Sequence, residues 1–142
     1  MAQKGIKELV KSEIEPVIKS LGFKKQSNSY VKTEEGFLKI IGLQFSQTNT
    51  SEEASFTIEC GIFFPELYLK CFDELPKYPK TVDCFFQYRQ RIGRLKGSHD
   101  EWYKVKVGED NQPVLDRVRH DLTWYVRRHF ERYTSTFSFF SH

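Results

Sequence analysis

The sequence predicts an α+β fold: a curved, mainly antiparallel sheet of about five to six strands, with N-terminal and C-terminal helices packed on one of its faces. Three patterns carry this expectation. Apolar residues between 3 and 21 recur every three or four positions, which makes one face of a helix. Residues 54–64, ASFTIECGIFF, alternate with period two. A second stripe at helical spacing runs from Leu115 to Tyr133.

Along the first helix, Ile6, Leu9, Val10, Ile14, Val17, Ile18 and Leu21 form the apolar face, and lysines and glutamates fill the rest. Pro16 has no N–H and its ring crowds the carbonyl of Ser12, so a kink or two abutting helices is expected there. Gly22 suits the helix end. Two short extended pieces follow, separated by the polar turn QSNS. EEG at 34–36 then reads as a hairpin turn, and Ile41, Leu43 and Phe45 share one face of a strand over 37–46.

In the strand over 54–64, Ala54, Phe56, Ile58, Cys60, Ile62 and Phe64 point inward, and Ser55, Thr57, Glu59, Gly61 and Phe63 point to a wet face. Residues 65–82 hold three prolines and no sustained period, so a helical turn at 67–72 and a loop are expected. A strand over 83–92 and another over 101–107 come next, the latter with Tyr103, Val105 and Val107 on one face. The last helix is capped by Asp110 or Asn111 and has Pro113 in its first turn. Leu115, Val118, Leu122, Tyr125, Val126, Phe130 and Tyr133 make its stripe. The sequence reads as a single α+β domain over 1–142, ending in an apolar tail at 134–142 that docks on its own domain or exchanges with a neighbour.

At 142 residues one core needs no disulfide or metal to hold it. Cys60, Cys71 and Cys84 are odd in number and form no CxxC pair, and the first residues hold no continuous apolar run. A chain without a membrane span, in a reducing cytoplasm and with free thiols, is the expectation. The net charge of +3 is unevenly spread: residues 1–75 carry −2 and residues 76–142 carry +5, with every arginine in the second part. That bias suits an acidic partner and falls short of a dedicated nucleic-acid binder.

Chemistry-bearing candidates concentrate in DCFFQYRQRIGRL, residues 83–95. On an extended strand Arg89 and Arg91 project from one face with Gln87 and Phe85, while Cys84, Phe86, Tyr88 and Ile92 face the core. Arg94 follows Gly93 at the strand end. Adjacent guanidiniums repel unless an anion sits between them, and they match carboxylate or phosphate bidentately. The competing reading is a sheet face whose arginines pair with a glutamate of the next strand, such as Glu59.

Other chemistries find little support. No metal site is expected, because His120 and His129 fall on opposite helix faces and no HxxxH or CxxC spacing occurs. No cofactor or nucleophile fingerprint occurs either, and Cys71 is the one thiol worth testing for reactivity. Phe63 and Phe85 beside arginines could stack bases, but the signature of an RNA-recognition sheet is absent.

LGFKKQSNSYVK at 21–32, CFFQYRQRIGRL at 84–95 and EWY at 101–103 resemble the signatures of a bacterial family, the domain of unknown function 4304. The resemblance spans nearly the whole chain. It implies a small stand-alone α+β domain and brings no established activity and no catalytic residues.

The leading expectation is therefore a non-enzymatic binding module. Arg89, Arg91, Arg94, Gln87 and Phe85 would contact an acidic protein or a second copy of the chain, as in a homodimer. The alternatives are a small-ligand binder or enzyme with a pocket between sheet and helices, and a weak nucleic-acid binder.

Overall fold

The N-terminal stripe forms one helix, α1 (Ala2–Ser20), in a computed structural model that describes residues 2–47 and 52–134. Ile6, Val10, Ile14 and Ile18 are buried at steps of four, whereas Leu9 is exposed and leaves the predicted stripe. Pro16 does not divide the helix in two. Ile14 and Ile18 on either side of it are wholly buried, so packing holds the turn across one missing hydrogen bond. Gly22 follows with φ of +97°, a conformation that suits glycine.

Four antiparallel strands come next: β1 (Lys24–Gln26), β2 (Ser29–Glu34), β3 (Phe37–Phe45) and β4 (Glu53–Phe63). The turns fall where the polar residues stand, with Gly36 at φ +89° in the β2–β3 hairpin. Cross-strand pairs Ile41–Cys60, Leu43–Ile58 and Phe45–Phe56 put the period-two apolar set on one face. There it meets α1 and the C-terminal helices, and the rings of Phe45, Phe56 and Tyr103 pack in sequence at tilted angles.

The other sheet face is not wet, which corrects the sequence reading. Thr57, Glu59 and Phe63 are all buried. Residues 64–88 cross this face and form a second small core, in which Cys84 and Tyr68 pack on Val31, Ile40 and Phe63. This covering segment holds a short helix, α2 (Pro65–Cys71), and 3₁₀ turns at Thr81–Asp83 and Phe86–Tyr88.

The expected strand over 83–92 shrinks to β5 (Arg89–Arg91), followed by a helical turn, α3 (Ile92–Leu95). Two causes are visible. The open edge of β4 is shared, because residues 53–56 pair with β6 (Tyr103–Lys106) and only residues 59–61 remain for β5. Upstream, local turns take the backbone groups: Cys84 N–H donates to the Thr81 carbonyl and Tyr88 N–H to that of Phe85. The predicted alternation therefore fails for Phe86, which is exposed, and for Cys84, which is buried on the outer face. Ile92 is core as expected. Tyr88 is partly buried, its ring edge-on to Phe64.

β6 ends before Val107, which is exposed rather than on the buried face. Asn111 takes the N-cap position, but its amide bonds both the N–H and the carbonyl of Lys106 and so closes that backbone pair rather than capping the helix; Asp110 accepts from Gln112 N–H just ahead of it. The C-terminal helix is α4 (Gln112–Asp121), a π segment (Leu122–Val126) and α5 (Arg127–Glu131). Val118, Leu122, Val126 and Phe130 are buried at steps of four. In an ordinary helix each such step drifts by about 40°, and the wider π turn absorbs the drift. Arg119 ties α4 to α1 through Glu13 at 2.7 Å. The tail predicted at 134–142 lies, from residue 135 onward, outside the described residues.

No described helix is long and apolar enough to cross a membrane. The three cysteines are free, Cys60 and Cys84 buried and Cys71 exposed.

Candidate functional site around Glu59 and the β5 arginines

Glu59 sits in the middle of β4 on the outer face, with only 5% of its side chain exposed. Its neighbours make room for the covering segment. A Cβ on Gly61 would lie 2.6 Å from Cys84 Sγ, and one on Gly42 would touch Thr81 at 3.5 Å. Glycine on both strands lets Thr81 approach the sheet and donate its hydroxyl to Glu59 Oε1. Gln44 of β3 donates to the same oxygen at 3.1 Å. A buried carboxylate is tolerable only with such partners.

The arginines complete the neutralisation. Register sets Arg91 opposite Glu59 and Arg89 opposite Gly61, both on the outer face. Arg89 Nε is 3.1 Å from Glu59 Oε1 but is not aligned for a hydrogen bond, so the contact is ionic only. Arg91 Nε is 3.9 Å from Glu59 Oε2. Its terminal nitrogens donate to Asp100 at 2.8 Å and to the Gln44 side-chain oxygen Oε1 at 3.0 Å, and its guanidinium lies over the Trp102 ring. Trp102 in turn donates to Asp100. Arg91 is thus committed inside the fold on every side, whereas Arg89 reaches Glu59 through Nε alone.

Beside this network lies an open concavity of about 510 Å³, walled by β5, the 3₁₀ turn before it and residues 94–100. Gln87, Arg89, Arg91 and Arg94 all line it. Phe85 does not; it is half-buried, and Phe86 takes its place at the wall, 86% exposed. Arg94 is exposed at α3 and makes none of the described ion pairs. His99 and Ser98 were not foreseen as lining residues. Their one sequence signal is Gly93: a Cβ there would come within 2.1 Å of the His99 carbonyl oxygen, so only glycine lets the 97–101 loop fold back beside β5.

Behind the concavity, that loop is anchored to the C-terminal helix. Lys96 bridges Glu101 at 3.1 Å and the buried Asp121 at 3.3 Å, and Tyr103 donates to Asp121 at 2.6 Å. Burial pushes the Glu101 carboxyl up, but hydrogen bonds from Ser98 and Lys96 outweigh it and hold the group below its ordinary value. Burial and the bond to Asp121 raise the Tyr103 hydroxyl far above its usual range. These are structural ions, fixed and fully paired.

Among the described residues no three His, Cys, Asp or Glu side chains gather as a metal site. The concavity presents three arginines beside Glu59 and Asp100, the Gln87 amide, the His99 imidazole and the exposed Phe86 ring.

No curated protein and no solved structure matches the chain. A family model described as Domain of unknown function (DUF4304) matches residues 14–132, which take in α1 from Ile14, the whole sheet and the C-terminal helix. The chain belongs to the DUF4304 family.

Proposed function

We propose that this protein is a binding module that docks an acidic protein partner on its outer face, around the concavity at β5. One observation carries the reading. Of the eleven exposed large apolar side chains among the described residues, seven come from residues 67–86, and the last of these, Phe86, stands at the wall of the concavity. Exposed apolar residues concentrated beside unpaired charge are typical of a protein interface.

Because Arg91 is spent on Glu59, Asp100 and Gln44, the contact falls to Arg94, the terminal nitrogens of Arg89, Gln87 and Phe86. Base stacking fits less well, since Phe63 is buried and Phe85 half-buried.

The test is a titration of the isotope-labelled protein with a short peptide of alternating Glu and Leu, followed by NMR. Amide shifts gathered at residues 86–99, weakening with added salt, support the reading. Shifts gathered instead over Lys7, Lys11 and Lys25, or none, would overturn it. A rise in molecular mass with concentration that disappears in Phe86→Ala would make the partner a second copy.

A further inference from the structure

On the helix side of the sheet, far in sequence from β5, one lysine stands in a position that lysine rarely takes. Lys39 pairs with Ile62 across β3 and β4, so it points toward the helices, and only 7% of its side chain is exposed. Directly opposite it on β2 is a second lysine, Lys32. Like charges facing each other across strands are destabilising. The two ammonium groups share one oxygen of Glu34, at 3.5 Å from Lys39 and 4.0 Å from Lys32. Both distances exceed the roughly 2.7–2.9 Å of a strong charge-assisted hydrogen bond.

Both lysines line a cavity of about 230 Å³ between the sheet and the ends of α1 and α5. Arg127, Phe130 and Glu131 close its helix side. Arg127 uses Nη1 on Glu131 and Nε on the Thr123 carbonyl, so its other terminal nitrogen is uncommitted. His129 is buried close by and is neutral near pH 7, because burial, Arg132 and Lys39 all oppose its protonation. The cavity therefore places two amines, a guanidinium and an apolar wall of Leu21, Phe23 and Phe130 around a space suited to a small molecule, and these three cations outnumber the two carboxylates beside them, Glu34 and Glu131.

We infer that this cavity binds a small 2-oxo acid, whose carboxylate is held by Arg127 and Lys32 and whose carbonyl carbon condenses reversibly with the Lys39 amine. The Lys39 nitrogen lone pair forms the C–N bond. The carbonyl oxygen leaves as water, taking the two hydrogens of the neutral amine, and the product is an imine. No electrons are gained or lost. An amine in an apolar setting next to another cation is the arrangement that makes lysine a nucleophile near neutral pH. The direction at Lys39 agrees: burial lowers its pKa and Lys32 adds to this, and together they outweigh the opposing pull of Glu34 and Glu131. The inference is independent of the acidic-partner reading, which concerns the other face.

Pyruvate with cyanoborohydride converts such an imine into a stable adduct that peptide mapping locates. In the intact chain Lys39 is expected to be labelled severalfold faster than any other lysine, because the cavity holds the pyruvate carboxylate beside its amine. Formaldehyde, which has no carboxylate, serves as the control electrophile. Arg127→Ala is expected to slow pyruvate labelling of Lys39 severalfold and leave formaldehyde labelling unchanged. Pyruvate label spread over the exposed lysines, with Lys39 among the slowest, would overturn the inference. Equal pyruvate rates at Lys39 in the wild type and Arg127→Ala would remove the carboxylate clasp and with it the proposed ligand class.

Discussion

Replacing Glu59 with alanine removes the one anion on which Thr81, Gln44, Arg89 and Arg91 converge. Breaking a fully buried ion pair from one side costs about 3–5 kcal/mol. Here the arginine side chains are 33% and 38% exposed and can turn partly toward water, which lowers the cost. A loss of about 2–3 kcal/mol follows, or about 7–10 °C in Tm for a chain of this length. Urea denaturation followed by circular dichroism reads it directly. Glu59→Gln keeps an acceptor for Thr81 but loses the charge, so it should fall between wild type and alanine. Adding Arg89→Ala to Glu59→Ala should cost less than the two separate losses together, with a coupling of about 1 kcal/mol. A Glu59→Ala loss below about 0.5 kcal/mol, or strict additivity, would refute the view that the arginines brace this carboxylate.

Gly61→Ala should destabilise by about 1–3 kcal/mol, because its Cβ would meet Cys84 Sγ at 2.6 Å, and Cys84→Ala should recover part of that loss in the double variant. Thiol titration of the native protein should show Cys71 reacting quickly, while Cys60 and Cys84 wait for denaturant; burial raises both of their pKa values, that of Cys84 to about 12. The His129 imidazole should stay neutral down to about pH 4 in an NMR titration, because burial first and then Arg132 and Lys39 depress its pKa. Since the unfolded chain protonates this group near pH 6.5 and the folded chain does not, its contribution to stability is complete above about pH 6.5 and is lost as pH falls toward 4, with a slope approaching 1.4 kcal/mol per pH unit. Titration of His129 near 6.5 would contradict this.

The regular elements were legible because their periods are strong. Period two over 54–64 and the steps of three and four in both helices place the inner core almost residue by residue. Leu9 and Val107 depart from the expected pattern in different ways: Leu9 lies beside the buried stripe of Ile6 and Val10, at its edge, and Val107 lies one residue past the end of β6. The outer face was not legible. Alternation says which residues share a face, but not whether a later segment returns to cover it, and residues 64–88 do so with no period of their own. That covering also explains the failure over 83–92, where local turns and a shared strand edge leave three residues of ladder. Within the candidate site, the Arg89 and Arg91 pairing with Glu59 follows from ordinary cross-strand chemistry. Phe86 and His99 depend on how two loops fold beside β5, which their local sequence does not encode.

Three neighbouring arginines differ in what they already hold: Arg91 braces the fold, Arg89 does so in part, and Arg94 faces outward and makes none of the described ion pairs. The most direct test measures Arg91→Ala and Arg94→Ala side by side, for stability in urea and for affinity to the Glu-Leu peptide. Arg91→Ala is expected to lose about 1–3 kcal/mol of stability, and Arg94→Ala to keep its stability within about 0.5 kcal/mol while weakening peptide binding severalfold. Unchanged stability in Arg91→Ala together with unchanged binding in Arg94→Ala would contradict that division of roles.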